Sequence, residues 1–161
     1  MKTMRHYARG EALAGRGDAA GVLAEAAAIR GAPSGDISAI AAAVLEGRAA
    51  MLKGDPASAA KAFETAAATQ ERVYAFSFDP PPWWYPVRRS VAAAELKAGR
   101  ADEAMRAAEQ SLKIWPQDAL TLQVLAQAHA KLGQAAEARE RRAQAERAWR
   151  GNAKMPALDL I

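Results

Sequence analysis

The two histidines are the first side chains to test for chemistry, because histidine is the usual acid–base group and metal ligand near neutral pH. His6 and His129 stand near opposite ends of the 161-residue chain, and neither has a Ser or Asp neighbour at a spacing typical of a catalytic triad. Cysteine is absent, which excludes disulfides, thiol nucleophiles and thiolate metal sites. We therefore expect no catalytic residue, no metal and no cofactor.

Acidic pairs and one glycine-rich segment carry the remaining possible chemistry. Asp102 with Glu103, and Glu137 with Glu140, follow turns at which acidic side chains favour the positive start of a helix. The segment GEALAGRGDAAG lacks the Lys-Ser/Thr of a phosphate-binding loop. We interpret the acids as helix caps and the glycines as a turn, and we expect a protein that is not an enzyme.

Alanine dominates the composition and indicates closely packed helices. It supplies 44 of the 161 residues, and it has the highest helix propensity of all residues. A glycine turn recurs four times, each time followed five residues later by a small or apolar residue: Gly17 with Val22, Gly54 with Ala59, Gly99 with Ala104, and Gly133 with Ala138. This pattern predicts stacked helical hairpins, since one alanine-rich hairpin cannot bury its apolar stripe alone.

The third unit resembles a tetratricopeptide repeat. Gly99, Ala104 and Pro116 have the spacing of that family's signature, and Gly133 follows Gly99 by 34 residues, the length of one repeat. The chain is similar to the repeat region of larger bacterial tetratricopeptide-repeat proteins of unassigned role. We expect four units in one domain, at about 3–36, 40–73, 85–118 and 119–152, with an insertion at 74–84 and a tail at 151–161.

The resemblance implies an all-α fold, a right-handed α-solenoid of about eight helices. We expect these helices near 3–15, 18–31, 37–53, 56–77, 84–98, 101–114, 117–132 and 135–150. It also implies a protein–protein interaction scaffold that binds a peptide or protein partner on the concave face formed by the first helix of each hairpin. The alternative is a ligand-binding or ancillary domain of a larger enzyme.

The inner-face positions follow from the repeat register. They are Tyr7 and Glu11, Val44 and Arg48, Arg89 and Ala93, and Gln123, Gln127 and Lys131. Arginine holds carboxylates through two parallel hydrogen bonds, so this lining suits an extended peptide with carboxylates or a free C-terminus. An ordinary solvated helix face would carry the same residues.

The aromatic segment at 74–86 is the largest departure from the repeat pattern. Its prolines stiffen an extended connector, and exposed Trp83, Trp84 and Tyr85 could form a ledge for a peptide. In the enzyme-associated alternative, the segment covers a ligand or a neighbouring domain. The alternative is that these rings fill a wedge between helices, which is the more frequent position of large apolar side chains.

The last helix and the two ends of the chain bear on partners and location. The basic run EARERRAQAERAWR is interleaved with glutamates, which favours a solvating cap over a nucleic-acid surface. No stretch approaches the roughly 20 apolar residues of a membrane span, and no secretory signal follows the first ten residues. We expect a cytoplasmic protein without nucleic-acid or membrane partners, either monomeric or weakly dimeric through the apolar end at 158–161. Because the first unit begins near Met1, the chain could be part of a longer protein.

Overall fold

The computed structural model describes residues 2–31, 35–74, 81–151 and 154–157. Within these ranges the chain forms α-helices and no strands, which confirms the predicted all-α class. The helices are α1 (Lys2–Ala14), α2 (Ala19–Arg30), α3 (Asp36–Leu52), α4 (Pro56–Tyr74), α5 (Arg88–Lys97), α6 (Ala101–Ile114), α7 (Ala119–Lys131) and α8 (Ala135–Ala148). None of the helices in the described ranges is both long and apolar enough to cross a bilayer.

The helices fall into two compact units. Unit 1, Met1–Val87, contains α1 to α4, and unit 2, Arg88–Ile161, contains α5 to α8. In unit 1 each helix packs against the next and α1 also packs against α3; in unit 2 the order is the same, with α5 against α7. Successive stacked hairpins are therefore present within each unit. That the two units form one domain stays a prediction.

The four turn glycines share one backbone geometry. Gly17, Gly54, Gly99 and Gly133 have φ angles of 76°, 72°, 80° and 77°. At the first turn the Gly17 N–H donates to the Ala14 carbonyl and the Asp18 N–H donates to the Leu13 carbonyl, and the same two spacings recur at the other three turns. This is the Schellman arrangement, which ends a helix with a left-handed residue and favours glycine because a Cβ atom would strain it. The predicted repeat of the turn is confirmed at all four positions.

Glycine also sets the distance between helices inside unit 1. A Cβ atom on Gly47 of α3 would lie 2.4 Å from the Phe63 ring of α4, and one on Gly10 of α1 would lie 2.5 Å from the Leu45 side chain of α3. Both pairs of helices thus approach more closely than an alanine would allow. The residues placed five positions after each turn glycine are all buried: Val22, Ala59, Ala104 and Ala138.

The connector between α4 and α5 corrects one predicted boundary. Helix α5 was expected from residue 84, but it begins at Arg88. The ring of Pro86 disfavours the helical conformation at Tyr85, so the helix does not continue back through this segment, which is bent at residues 82, 83 and 85. Buried Gln70 of α4 provides hydrogen-bond partners for two backbone groups of this segment. Its Nε2 donates to the Tyr85 carbonyl (2.7 Å) and its Oε1 accepts from the Val87 N–H (2.9 Å). The end of α4 was predicted at residue 77, and residues 75–80 lie outside the described ranges.

Candidate partner-binding site

Three of the predicted inner-face residues of unit 1 meet where α1 packs against α3. The Tyr7 hydroxyl donates to Glu11 Oε1 at 2.7 Å, one helical turn further along α1. Arg48 of α3 places its Nε 3.5 Å from the same Glu11 oxygen, and its guanidinium carbon lies 6.0 Å from the centre of the Phe63 ring. Val44, the fourth predicted position, is fully buried. The repeat register correctly predicted that Tyr7, Glu11 and Arg48 lie close together. It did not predict the aromatic rings that pack against Tyr7.

The electrostatics of this group hold the proton positions fixed. Burial, followed by the neighbouring Tyr85 and Glu11, raises the pKa of Tyr7 far above its ordinary value. For Arg48, burial lowers the pKa, but the charge of Glu11 and the nearby tyrosines outweigh this effect, so its pKa is raised. Tyr7 therefore stays neutral and Arg48 stays charged around neutral pH. Such fixed groups can orient and bind, but they do not exchange protons there.

Tyr7 also belongs to a group of four aromatic rings in contact with one another, which we call the aromatic cluster: Tyr7, Trp83, Trp84 and Tyr85. The Trp83 and Trp84 rings are stacked, with centroids 4.8 Å apart and planes 20° apart. Tyr7 meets both tryptophans edge-on, at 5.0 Å and 5.6 Å, and Tyr85 lies 5.7 Å from Trp83. Edge-on and offset-stacked pairs at these distances are the favourable arrangements for aromatic rings.

The two tryptophans have opposite exposures. Trp83 is 0% exposed and Tyr7 is 4% exposed, whereas Trp84 is 57% exposed. The wedge and the ledge expected for the segment at 74–86 thus both occur, one for each tryptophan. Tyr7 and Trp83 were also predicted to contact a partner, but packing inside the aromatic cluster leaves them almost no surface to do so. Trp84 retains that surface.

Sequence reasoning missed the residue that holds the connector in place. Gln70 lies on the buried side of α4 together with Phe63, Ala66 and Ala67. A glutamine in line with apolar residues is the available signal, since a polar side chain on a buried stripe needs hydrogen-bond partners. Its partners are backbone groups of a distant segment, so spacing alone does not identify them.

In unit 2 the predicted inner-face residues are engaged with other parts of the same unit. Arg89 Nη1 donates to Asp118 Oδ1 at 3.0 Å, and Asp118 also caps the start of α7. Ala93 is buried. Gln123 Nε2 donates to the Pro156 carbonyl at 3.2 Å, so part of the tail lies beside α7.

The last two predicted positions, near the end of α7, differ in exposure. Gln127 is partly buried and Lys131 is exposed. The apolar end at 158–161, expected to mediate weak dimerisation, lies outside the described residues.

The histidines are packed rather than placed for chemistry. His129 is buried and its Nδ1 lies 2.5 Å from Gln134 Oε1. His6 Nδ1 lies 2.6 Å from Glu25 Oε2. The other carboxylate oxygen of Glu25 forms an ion pair with Arg9. Among the described residues, no three His, Cys, Asp or Glu side chains are grouped so that they could hold a metal ion.

The hairpins and their repeated turns define this chain as an all-α helical-repeat protein. Its fold is similar to that of two solved structures, "Crystal structure of MamA protein" and "Crystal structure of MamA". Each is 17% identical in sequence with a TM-score of 0.54; the first match covers 91% of both chains, and the second covers 86% of this chain and 93% of the other. No family model matches the sequence, and no curated protein matches it. The likeness therefore concerns the fold alone.

Proposed function

We propose that this chain is a non-enzymatic interaction module of the tetratricopeptide-repeat type, which binds a protein or peptide partner. The repeat register of four Schellman turns and the likeness to the MamA structures support the fold part of the proposal. Stacked helical repeats present extended surfaces that proteins commonly use for binding. Fold alone does not establish function, so the proposal depends on a particular surface.

That surface is centred on Trp84. A large aromatic ring that is 57% exposed is uncommon, and tryptophan is the residue most often found at the energetic centres of interfaces. Its ring is already held on three sides by the buried Trp83, by Tyr7 and by Tyr85. Binding would therefore cost little side-chain entropy, because the ring is ordered before the partner arrives.

The proposed surface also includes Met4, an exposed apolar side chain one helical turn before Tyr7 on α1. An apolar side chain of the partner would suit Met4 and Trp84. Arg48 and Arg89 have acidic neighbours in their own units, so a carboxylate of the partner would have to compete with Glu11 or Asp118.

The test is a capture experiment with matched variants. Trp84→Ala removes the exposed ring, and Leu52→Ala truncates another exposed apolar side chain of unit 1 at the end of α3. We expect partners retained from the source lysate by the wild type and by Leu52→Ala, identified by mass spectrometry, to be lost with Trp84→Ala. Equal retention by both variants would refute the Trp84 surface.

The alternative, a ligand-binding or ancillary domain of a larger enzyme, uses the same exposed ring. It predicts that a metabolite mixture quenches the fluorescence of the wild type but not of Trp84→Phe, while no protein is retained. Protein capture that depends on Trp84, without metabolite quenching, supports the interaction module.

A further inference from the structure

Unit 2 contains a cleft of about 320 Å³ between the end of α8 and the turn that joins α6 to α7. Its apolar lining comes from Pro116, Leu122 and Ala148, and its polar lining comes from Gln117, Gln144, Arg147 and Arg150. This volume is at the lower end of the range of roughly 300–1,000 Å³ for small-molecule sites. None of the lining residues contributes to the aromatic cluster, which lies in unit 1.

Two of the four polar side chains that line the cleft are positively charged arginines. Within the part of the chain that the structure describes, no hydrogen bond or ion pair engages the side chains of Gln117, Arg147 or Arg150. The amide of Gln144 is held by Arg141 at 2.9 Å and by Glu140 at 3.1 Å. Among the described residues, no carboxylate lines the cleft, so its two guanidinium groups have no acidic neighbour in that part of the wall.

The favourable interaction of a cation with the C-terminal end of a helix explains the position of only one of the two arginines. Arg147 lies in the last turn of α8, where a cation interacts favourably with the negative end of the helix. Arg150 lies two residues beyond the end of that helix and has no such role. A pair of arginines beside an apolar floor is instead typical of a site for an anionic group attached to an apolar body.

We infer that this cleft binds a carboxylate carried next to a short apolar group, such as the C-terminal residue of a peptide. Arg147 and Arg150 would hold the carboxylate through charge-assisted hydrogen bonds, and Gln117 would add a neutral donor. Leu122 and Pro116 would contact the apolar side chain. This binding site is separate from the Trp84 surface and does not depend on the proposed function.

The test uses the full chain and three probes. N-acetyl-leucine has the carboxylate and the apolar group, N-acetyl-leucinamide has only the apolar group, and inorganic phosphate has only the anion. We expect saturable binding of the acid in the millimolar range, measured by calorimetry and by the fluorescence of Trp115 and Trp149, which adjoin the lining residues in sequence. The amide and phosphate should each bind at least about tenfold more weakly, since a charge-assisted contact is commonly worth this factor or more.

A matched pair of double variants locates the site. Arg147→Gln/Arg150→Gln should weaken binding of N-acetyl-leucine by at least about tenfold. Arg139→Gln/Arg142→Gln removes the same charge from exposed positions of α8 outside the cleft and should leave binding within about twofold of wild type. Circular dichroism must show unchanged helicity for both variants, and single Arg150→Gln replaces the double variant if it unfolds.

Three outcomes would overturn the inference. Equal binding of the acid and the amide would show that the arginines do not recognise a carboxylate. Phosphate binding that matches the acid would show an unspecific anion site without an apolar subsite. An equal loss in both double variants, or no saturable binding of the acid, would remove the cleft as the site.

Discussion

Replacing Gln70 with methionine should loosen the attachment of the aromatic segment to α4. The glutamine is 1% exposed and makes two hydrogen bonds, one with the Tyr85 carbonyl and one with the Val87 N–H. Methionine has a similar length and preserves most of the packing, but it removes the buried hydrogen bond that Gln70 makes with each of the two backbone groups. Each such loss costs about 1–3 kcal/mol, so we expect the free energy of unfolding to fall by about 3 kcal/mol.

Two measurements follow the change. For a chain of this length, about 3 kcal/mol corresponds to a decrease of about 6–12 °C in the midpoint of thermal unfolding followed by circular dichroism. Acrylamide quenching of tryptophan fluorescence should increase at the same time, because Trp83 is fully buried only while the connector is held. Ala68→Met provides the control, since Ala68 is an exposed residue of the same helix and should tolerate the larger side chain.

A free energy of unfolding for Gln70→Met within about 0.5 kcal/mol of the wild-type value, a difference typical of surface substitutions, would refute this role of Gln70. The role is also refuted if stability falls while acrylamide quenching stays unchanged. In that case Gln70 would contribute to the core of α4 but would not hold the aromatic cluster.

Two further predictions concern the turns and the buried tyrosine. Gly54→Ala should lower the free energy of unfolding by about 1–2 kcal/mol in urea titrations, because Gly54 has a φ of 72°; Gly31→Ala, at a φ of −75°, should change it by less than half as much. Burial raises the pKa of Tyr7 above the ordinary value of 10.0. The folded state therefore holds the Tyr7 proton more tightly than the unfolded state does. The neutral Tyr7 contributes its full stabilisation below about pH 10, and the free energy of unfolding should decrease as the pH rises further. Thermal unfolding between pH 8 and 11 should show this decrease in the wild type and a smaller one in Tyr7→Phe; equal decreases would contradict the assignment.

The elements of the fold could be predicted because their signals are local. Each Schellman turn depends on one glycine and a few neighbouring backbone groups. Gly17 and Gly133 therefore predict their turns without any tertiary information. The start of α5 was misplaced because the aromatic residues before Pro86 look compatible with a helix, whereas the proline disfavours helical backbone before it. The rule that corrects this error is also local.

The candidate site was less predictable because its exposure depends on distant residues. The repeat register groups Tyr7 with Arg48, but Tyr7 is buried by rings that follow it by more than seventy positions in the chain. Composition could not separate Trp83 from Trp84, which are neighbours of the same type. Their opposite exposure follows from their stacking, because Trp83 lies on the buried side of the stacked pair and Trp84 lies on its solvent side.

The alanine content indicates where recognition should be sought in this chain. Alanine packs helices closely but offers a partner one methyl group, and positions of the predicted inner face such as Val44 and Ala93 are buried. Specific contacts must therefore come from segments that depart from the repeat. The exposed Trp84 belongs to the connector between α4 and α5, and Arg150 follows the end of α8. Each proposed binding site thus combines a side chain from outside the regular helices, Trp84 or Arg150, with side chains of the helices next to it.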